Sequence, residues 1–277
     1  MNDKGLTSLE HFLQELDNID NAVSHMVREV RAKSDLALKS NLTLKVHQAE
    51  WHVRGLTYHC RNLIRHYNVI AQDVSKRASV GADVVIMYEP AVQKLMFEFY
   101  ALVNLARISL DNLRNLSPVF VTPYNQLPKS ITNYKPGSTN CPIYERLAKE
   151  PILAYLVDIR NCIVHYRTFA TSDNAIATAE GVEELPVLDE IDFTEGVAKF
   201  YFRYTGGKFV LNIYLPDVIF VRKPSGEKKL AEFTYKKRYN LLSQSMQFVR
   251  LVVYSTIEAL ELLINPGSPT FFYNRVR

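Results

Sequence analysis

The chain has 277 residues, of which 47% are hydrophobic, enough to bury one large core or two smaller ones. Its 33 Lys and Arg against 29 Asp and Glu give a net charge of +4, which suits a polyanionic partner but excludes the charge density of a protein that coats nucleic acid. Its 3 cysteines lack a Cys-x-x-Cys spacing, which excludes a disulfide framework and a thiolate zinc site and favours a reducing cytoplasm.

Helical spacing of apolar residues dominates the N-terminal part of the chain. The pattern predicts three helices, over residues 6–32, 35–76 and 84–116. Gly55 predicts a break in the second helix. The beginning of the chain has no apolar core of the signal-peptide kind, and the most apolar later run, 248–264, is interrupted by charged residues. We therefore expect neither a signal peptide nor a membrane span.

Proline and glycine interrupt the helical pattern between residues 118 and 142, which predicts a long surface loop. A short helix is predicted over 143–149. A longer helix is predicted over 152–168, because Pro151 suits the first turn of a helix. This longer helix carries the motif described below.

The hydrophobic period changes from helical to two over residues 191–235, which predicts three or four antiparallel strands. They would form one hairpin around Gly206-Gly207 and a second around Pro224-Ser225-Gly226. Helical spacing returns over 236–264. The predicted fold is thus mainly α, with a small antiparallel sheet inserted at about 190–235, before the last helix. We divide it into an N-terminal helical region, 1–82, and a second domain, 83–277.

One motif occurs twice in the sequence. HCRNLIRHY at 59–67 and DIRNCIVHY at 158–166 share Arg-Asn-x-Ile-x-His-Tyr. In the second copy the polar residues interrupt a helix that is otherwise apolar nearly all round. Burying such groups without partners costs a few kcal/mol each, so they must bind one another or line a cleft. Arg160 stands about 140° from His165 on an α-helix, so it has to reach the same space by its length, or the cleft is shared between helices.

The first copy lies on an ordinary amphipathic helix with a broad polar face. We interpret Arg61 and His66 as part of a solvated basic surface that RNA can cross, and Asn62 as completing a lookalike of the second copy.

DIRNCIVHY resembles the Arg-x4-6-His motif of the HEPN superfamily, in which Asn usually follows Arg on a helix of a small bundle. Arg160, Asn161 and His165 match it residue by residue, and the resemblance covers about residues 84–265. It implies a HEPN-type helical bundle and a metal-independent endoribonuclease, of the toxin or phage-defence kind, that has no cofactor. It also implies an RNA substrate, a cleft formed by two motif helices of a homodimer, and an antitoxin or defence-system partner. In a subset the motif extends to His-x-Tyr, with the tyrosine modified by a partner. Here Tyr166 follows His165 directly, so the sequence departs from that extension.

The residue types suit metal-free cleavage of RNA. We assign His165 to proton transfer, Arg160 to the phosphate, and Asn161 to holding the phosphate or the imidazole. Asp158 and Tyr166 are predicted to be supporting residues. The alternative is that the polar residues form a satisfied network at a helix interface, in a non-catalytic RNA-binding or dimerisation module that serves a partner protein.

Two weaker signals remain. LTLKVHQAEWHVRG at 42–55 resembles the Dps-type ferritin relatives, but carboxylates at helical spacing are missing, so we predict no metal site. The predicted sheet carries basic residues among aromatics, which favours either RNA contact or an ordinary solvated side of the sheet. The predicted RNA contacts there are Arg203, Lys208 and Arg222. Phosphate-binding glycine loops and a Gly-x-Ser-x-Gly elbow are absent from the sequence.

Overall fold

A computed structural model describes the backbone of residues 3–33, 42–77, 85–86, 90–119, 121, 126–166, 177–180, 182–184, 201–204, 210–221 and 230–265. Over these residues the chain is mainly helical with a small antiparallel β component, as predicted. None of the helices in the described part is both long and apolar enough to cross a membrane.

The described helices follow the predicted apolar spacing closely. They are α1 (Asp3–Ala32), α2 (Leu42–Arg77), α3 (Pro90–Asn112), α4 (Pro142–Leu147), α5 (Pro151–Asn161) and α6 (Leu241–Ile264). The predicted break at Gly55 is wrong, because α2 passes through it without interruption. The predicted start of the third helix at residue 84 is also wrong. Val85–Ile86 form a strand, and the helix begins at Pro90, whose fixed φ and missing N–H suit a first helical position.

The end of α3 tightens into a 3-10 helix, Leu113–Val119. The predicted surface loop that follows is fixed by buried side chains: Leu127, Ile131, Tyr134 and Cys141. Asp111 accepts a hydrogen bond from the Ile131 N–H at 2.9 Å, and Arg114 Nε donates to the Leu127 carbonyl at 2.9 Å. This segment is therefore packed as part of the core and does not simply lie over the surface.

The strands are β1 (Val85–Ile86), β2 (Ala177–Glu180), β3 (Val182–Glu184), β4 (Tyr201–Tyr204), β5 (Val210–Val221) and β6 (Leu230–Asn240). They pair antiparallel in the orders β1-β4-β3 and β2-β5-β6. The predicted hairpin around Gly206-Gly207 is wrong, since β4 pairs with β1 and β3 instead of β5. The pairing of Val221 with Leu230 agrees with the second predicted hairpin.

The last helix begins later than predicted, at Leu241 instead of residue 236. Asn240 explains the boundary, because its side-chain Oδ1 accepts hydrogen bonds from the backbone N–H groups of Leu242 (3.1 Å) and Ser243 (3.2 Å). Residues before this cap continue β6. The ladder between β5 and β6 shifts register between Leu215 and Asp217, at Pro216, which has no N–H to donate.

The chain divides into two compact units, each made of three segments. The motif unit comprises residues 1–12, 59–101 and 158–246 and contains both copies of the repeated motif. The helical unit comprises residues 13–58, 102–157 and 247–277. The predicted domain boundary between residues 82 and 83 lies outside the described residues and stays a prediction.

Each unit has its own buried apolar side chains. In the motif unit they include Leu63, Ile64, Leu95, Phe99 and Ile213, and the Cys60 thiol lies 3.4 Å from the Met246 sulfur. In the helical unit they include Leu16, Val46, Val103, Leu156 and Phe248. Two arginines add ion pairs there: Arg146 with Glu258 at 2.8 Å, and Arg250 with Glu15 at 2.6 Å.

Candidate functional site

The second copy of the motif lies where α5 ends. Leu156, Ile159 and Cys162 are fully buried, which agrees with the apolar character predicted for this helix. Asp158, Arg160 and Asn161 are half-buried. After Asn161 the backbone changes from an α-helix to a π-helix over Cys162–Tyr166, and this π-helical turn packs against β6.

The π-helical turn changes the spacing of the motif. Five residues of an α-helix would leave Arg160 and His165 about 140° apart. In an α-helix, a residue and the fourth residue after it are hydrogen-bonded and stand about 40° apart around the helix axis. In a π-helix the hydrogen bond joins residues five apart, so the fifth residue takes this position. Most of the interval from Arg160 to His165 is π-helical. The backbone of His165 is therefore rotated toward the face of the helix that carries Arg160.

Arg160 and Asn161 contact each other directly. The Arg160 Nη1 donates a hydrogen bond to the Asn161 Oδ1 at 3.4 Å, a long bond that couples the two adjacent side chains. A guanidinium is the side-chain group that binds phosphate through two parallel hydrogen bonds. The side chains of His165 and Tyr166 lie outside the described residues.

The predicted RNA contacts on the sheet are only partly within the described chain. The backbone of Arg203 lies on β4, opposite Glu183 of β3. Lys208 and Arg222 lie outside the described residues. Contact of these three residues with RNA stays a prediction.

The first copy of the motif is built into a polar cluster that sequence reasoning missed. The His59 Nδ1 lies 2.6 Å from the Glu98 Oε2, and the Asn62 Nδ2 donates to the Glu98 Oε1 at 3.3 Å. Arg65 Nη1 in turn donates to the Asn62 Oδ1 at 3.4 Å. We call His59, Asn62, Arg65 and Glu98 the His59–Glu98 cluster. Residues 59 and 98 are on different helices, so no local spacing in the sequence links them.

Burial also affects the protonation of His66 in the first copy. It lowers the pKa of His66 by disfavouring the imidazolium, an effect that Glu98 opposes and that Lys94 and Arg65 reinforce. Arg61 and His66 are half-buried. The first copy is therefore less exposed to solvent than an ordinary basic helix face. Both carboxylate oxygens of Glu98 contact it, one at His59 and the other at Asn62.

Comparison with known protein families, characterised proteins and solved structures gives no match.

The segment that resembles the Dps type lies on α2, where its carboxylate is already bound. Glu50 is 9% exposed and accepts hydrogen bonds from Arg54 at 2.9 and 3.2 Å and from the Ser24 hydroxyl at 3.4 Å. A guanidinium in this position competes with any cation for the same oxygens. Within the described part of the chain, three His, Cys, Asp or Glu side chains do not gather anywhere in a way that could hold a metal ion.

Proposed function

We propose that the chain is a metal-independent endoribonuclease of HEPN type, a toxin or phage-defence effector that cleaves RNA in a cleft shared by two motif helices of a homodimer. The observation that carries the proposal is the π-helical turn that follows Arg160 and Asn161 directly. It shifts an arginine and a histidine five residues apart toward one face of the helix, and π-helical turns are frequent at functional sites. An uninterrupted α-helix would separate the two residues.

The chemistry requires proton transfer and charge stabilisation. A base takes the proton of a 2′-hydroxyl, the 2′-oxygen attacks the adjacent phosphorus, the bond from phosphorus to the 5′-oxygen breaks, and an acid protonates that leaving oxygen. His165 serves as base or acid, because imidazole exchanges protons near neutral pH. A second His165 from the other protomer supplies the complementary role. Arg160, aligned by Asn161, stabilises the negative charge on the phosphate.

The test compares single-residue variants at the two copies of the motif. Wild type, Arg160→Ala and His165→Ala are incubated with end-labelled RNA in EDTA, with folding matched by circular dichroism. We expect wild type to cleave and both variants to lose about 100-fold or more of the rate, the usual cost of removing a general acid–base or a phosphate ligand.

The first copy of the motif provides matched controls for this assay. Arg61→Ala and His66→Ala remove the same residue types at the same motif positions. We expect them to keep the catalytic rate and at most weaken the affinity for RNA. Loss of cleavage in these variants, with Arg160→Ala active, would move the site to the first copy.

The alternative function is a non-catalytic RNA-binding or dimerisation module that serves a partner protein. The long Arg160–Asn161 contact on a half-buried surface is compatible with a purely structural polar network. RNA binding without cleavage by wild type, together with lower thermal stability of Arg160→Ala, would favour this alternative.

A further inference from the structure

Three large apolar side chains lie exposed along one line of α2. Leu44, Trp51 and Tyr58 are 67%, 64% and 59% exposed. They are seven residues apart, close to two helical turns, so consecutive members stand about 10 Å apart on the same side of the helix. Single exposed apolar residues are common on protein surfaces, but three at a fixed interval on one side of a helix form a repeated feature. We call this row, after its two aromatic members Trp51 and Tyr58, the aromatic stripe. All three residues belong to the helical unit.

The indole N–H of Trp51 is hydrogen-bonded to a neighbouring side chain. Its Nε1 donates a hydrogen bond to the His47 Nε2 at 2.9 Å, and the two rings are perpendicular, with their centroids 6.2 Å apart. This bond restricts the indole while most of the side chain stays exposed. A restricted aromatic surface loses little side-chain entropy when a flat ligand stacks on it.

Arginine side chains lie beside Trp51 in the stripe. Glu50 is the one acidic residue between positions 42 and 72, and it is buried and paired with Arg54 at 2.9 Å. The Arg31 Nη2 lies 3.0 Å from the His47 Nδ1, next to the hydrogen bond between His47 and Trp51. Glu29, an acidic neighbour of Arg31 in sequence, contacts His25 at 3.6 Å. Between positions 42 and 58, α2 therefore offers no exposed carboxylate to a ligand. On α1, Asp20 accepts a hydrogen bond from the Thr57 hydroxyl at 2.8 Å.

The spacing of the stripe disfavours a helix of a second copy as the occupant. A helical seam needs apolar residues alternately three and four positions apart. Here the positions between the apolar residues are polar or small, namely His47, Gln48, Arg54 and Gly55. Separate aromatic side chains flanked by cations are instead the pattern that binds single-stranded nucleic acid, since every unpaired base has a face that can stack.

We propose that the aromatic stripe binds single-stranded RNA, with bases stacked on Trp51 and Tyr58 and a phosphate held by Arg31. The choice of RNA over DNA rests on the proposed function, because the ribonuclease chemistry requires a 2′-hydroxyl. A duplex hides its base faces, so it has to bind this surface less tightly than a single strand. The stripe would thus set the substrate class of the enzyme as unpaired RNA.

The test uses Trp51 as its own reporter, since the chain contains a single tryptophan. Short single-stranded RNA is titrated into full-length Arg160→Ala protein, which keeps the stripe and removes the proposed cleavage. We expect Trp51 fluorescence to be quenched, with an affinity that falls as salt is raised, and less quenching by the same RNA as a duplex.

Variants then locate the binding site. Stacking on an aromatic side chain contributes about 1–3 kcal/mol per base, so Trp51→Leu and Tyr58→Leu should each weaken binding of labelled RNA by about 5-fold to 150-fold. Phe97→Leu is the matched control, because Phe97 is also an exposed aromatic residue on a helix, at 65% exposure, and belongs to the motif unit. It should leave the affinity unchanged.

The outcomes separate this inference from the proposed function. Unquenched Trp51 fluorescence, or equal affinity of Trp51→Leu and wild type, would overturn RNA binding by the stripe even if the protein cleaves RNA. Conversion of a dimer to a monomer by Trp51→Leu, without loss of RNA affinity, would overturn it in favour of a second copy. Quenching by RNA, together with no cleavage by the wild-type protein, would support the stripe and reject the nuclease.

Discussion

Among single residues, Glu50 shows how one carboxylate organises its surroundings on α2. Burial by itself raises the pKa of Glu50, but the hydrogen bond and charge of Arg54, with smaller contributions from His47 and Arg31, outweigh it and hold the pKa below the usual 4.5. The folded protein therefore favours the ionised carboxylate. Its contribution to stability is fully present above about pH 4.5 and is lost as the pH falls through the lower folded value.

Glu50→Gln tests this linkage. We expect the substitution to lower the free energy of unfolding by about 1–3 kcal/mol near pH 7, because it removes a charged hydrogen-bonded partner of Arg54. The loss should shrink as the pH falls below about 4.5, where wild type also loses its charge. Urea unfolding at both pH values measures the difference. Glu29→Gln, at a 49% exposed carboxylate, should change stability by less than about 0.5 kcal/mol. If Glu50→Gln lowers the free energy of unfolding by the same amount at both pH values, the ionised form of Glu50 is not what stabilises the folded protein.

The motif residues themselves show what sequence could predict at this scale. The burial of Ile159 and Cys162, and the interruption of an apolar helix by Asp158, Arg160 and Asn161, follow from helical periodicity alone. The contact between His59 and Glu98 does not, because it joins two helices. Recognising it needs the tertiary packing of α2 against α3, which single-sequence patterns do not contain.

Among the elements, α2 shows why a glycine need not break a helix. A Cβ atom at position 55 would lie 2.6 Å from the Leu105 Cδ2, so the glycine allows the close approach of that side chain. The helix-breaking tendency of glycine can be predicted from the residue type, but the neighbouring Leu105 that makes the glycine useful cannot. The packing decides in favour of the continuous helix.

Substitutions at position 55 test this explanation. Gly55→Ala should stay within about 1 kcal/mol of wild type, because the gain in helix propensity offsets a contact with the movable end of Leu105. Gly55→Val should destabilise by roughly 1–3 kcal/mol, the usual cost of overpacking. Adding Leu105→Ala to Gly55→Val should recover part of that loss in urea unfolding. If the double variant recovers nothing, contact with Leu105 is not the reason for the glycine.

The β-strands and the π-helical turn mark the limit of pattern-based prediction. Alternation of apolar residues correctly indicated strands in residues 201–204, 210–221 and 230–235, but not their partners, since β4 pairs with the distant β1 and β3. The π-helical turn over Cys162–Tyr166 has no signature in a pattern read with the α-helical period. The proposed joint action of Arg160 and His165 nevertheless depends on this turn, because it rotates the His165 backbone toward the face that carries Arg160.

At the level of the whole molecule, the proposed cleft requires two motif helices to face each other across a dimer. Val164 precedes His165 on the π-helical turn and is 44% exposed. An exposed apolar residue beside the motif fits a position that a second protomer covers. The composition of the chain could not indicate that Val164 is exposed, because an average hydrophobicity does not show which apolar residues lie on the surface.

Val164→Glu should therefore lower the fraction of dimer, measured by light scattering after gel filtration, and lower RNA cleavage in parallel. Val69→Glu is the matched control, because Val69 is a similarly exposed valine, at 49%, on α2. It should change neither property. Full cleavage by a strictly monomeric Val164→Glu protein would contradict the shared cleft.

The most direct measurement of the central claim is the same cleavage assay in EDTA with two substrates, an RNA and the same strand with a 2′-deoxy sugar at the main cleavage position. The proposed chemistry predicts that wild type cleaves the RNA but does not cleave at the deoxy position. It also predicts that Arg160→Ala forms little or no cleavage product from the RNA. Cleavage at the deoxy position, a requirement for added metal, or an undiminished rate in Arg160→Ala would contradict it.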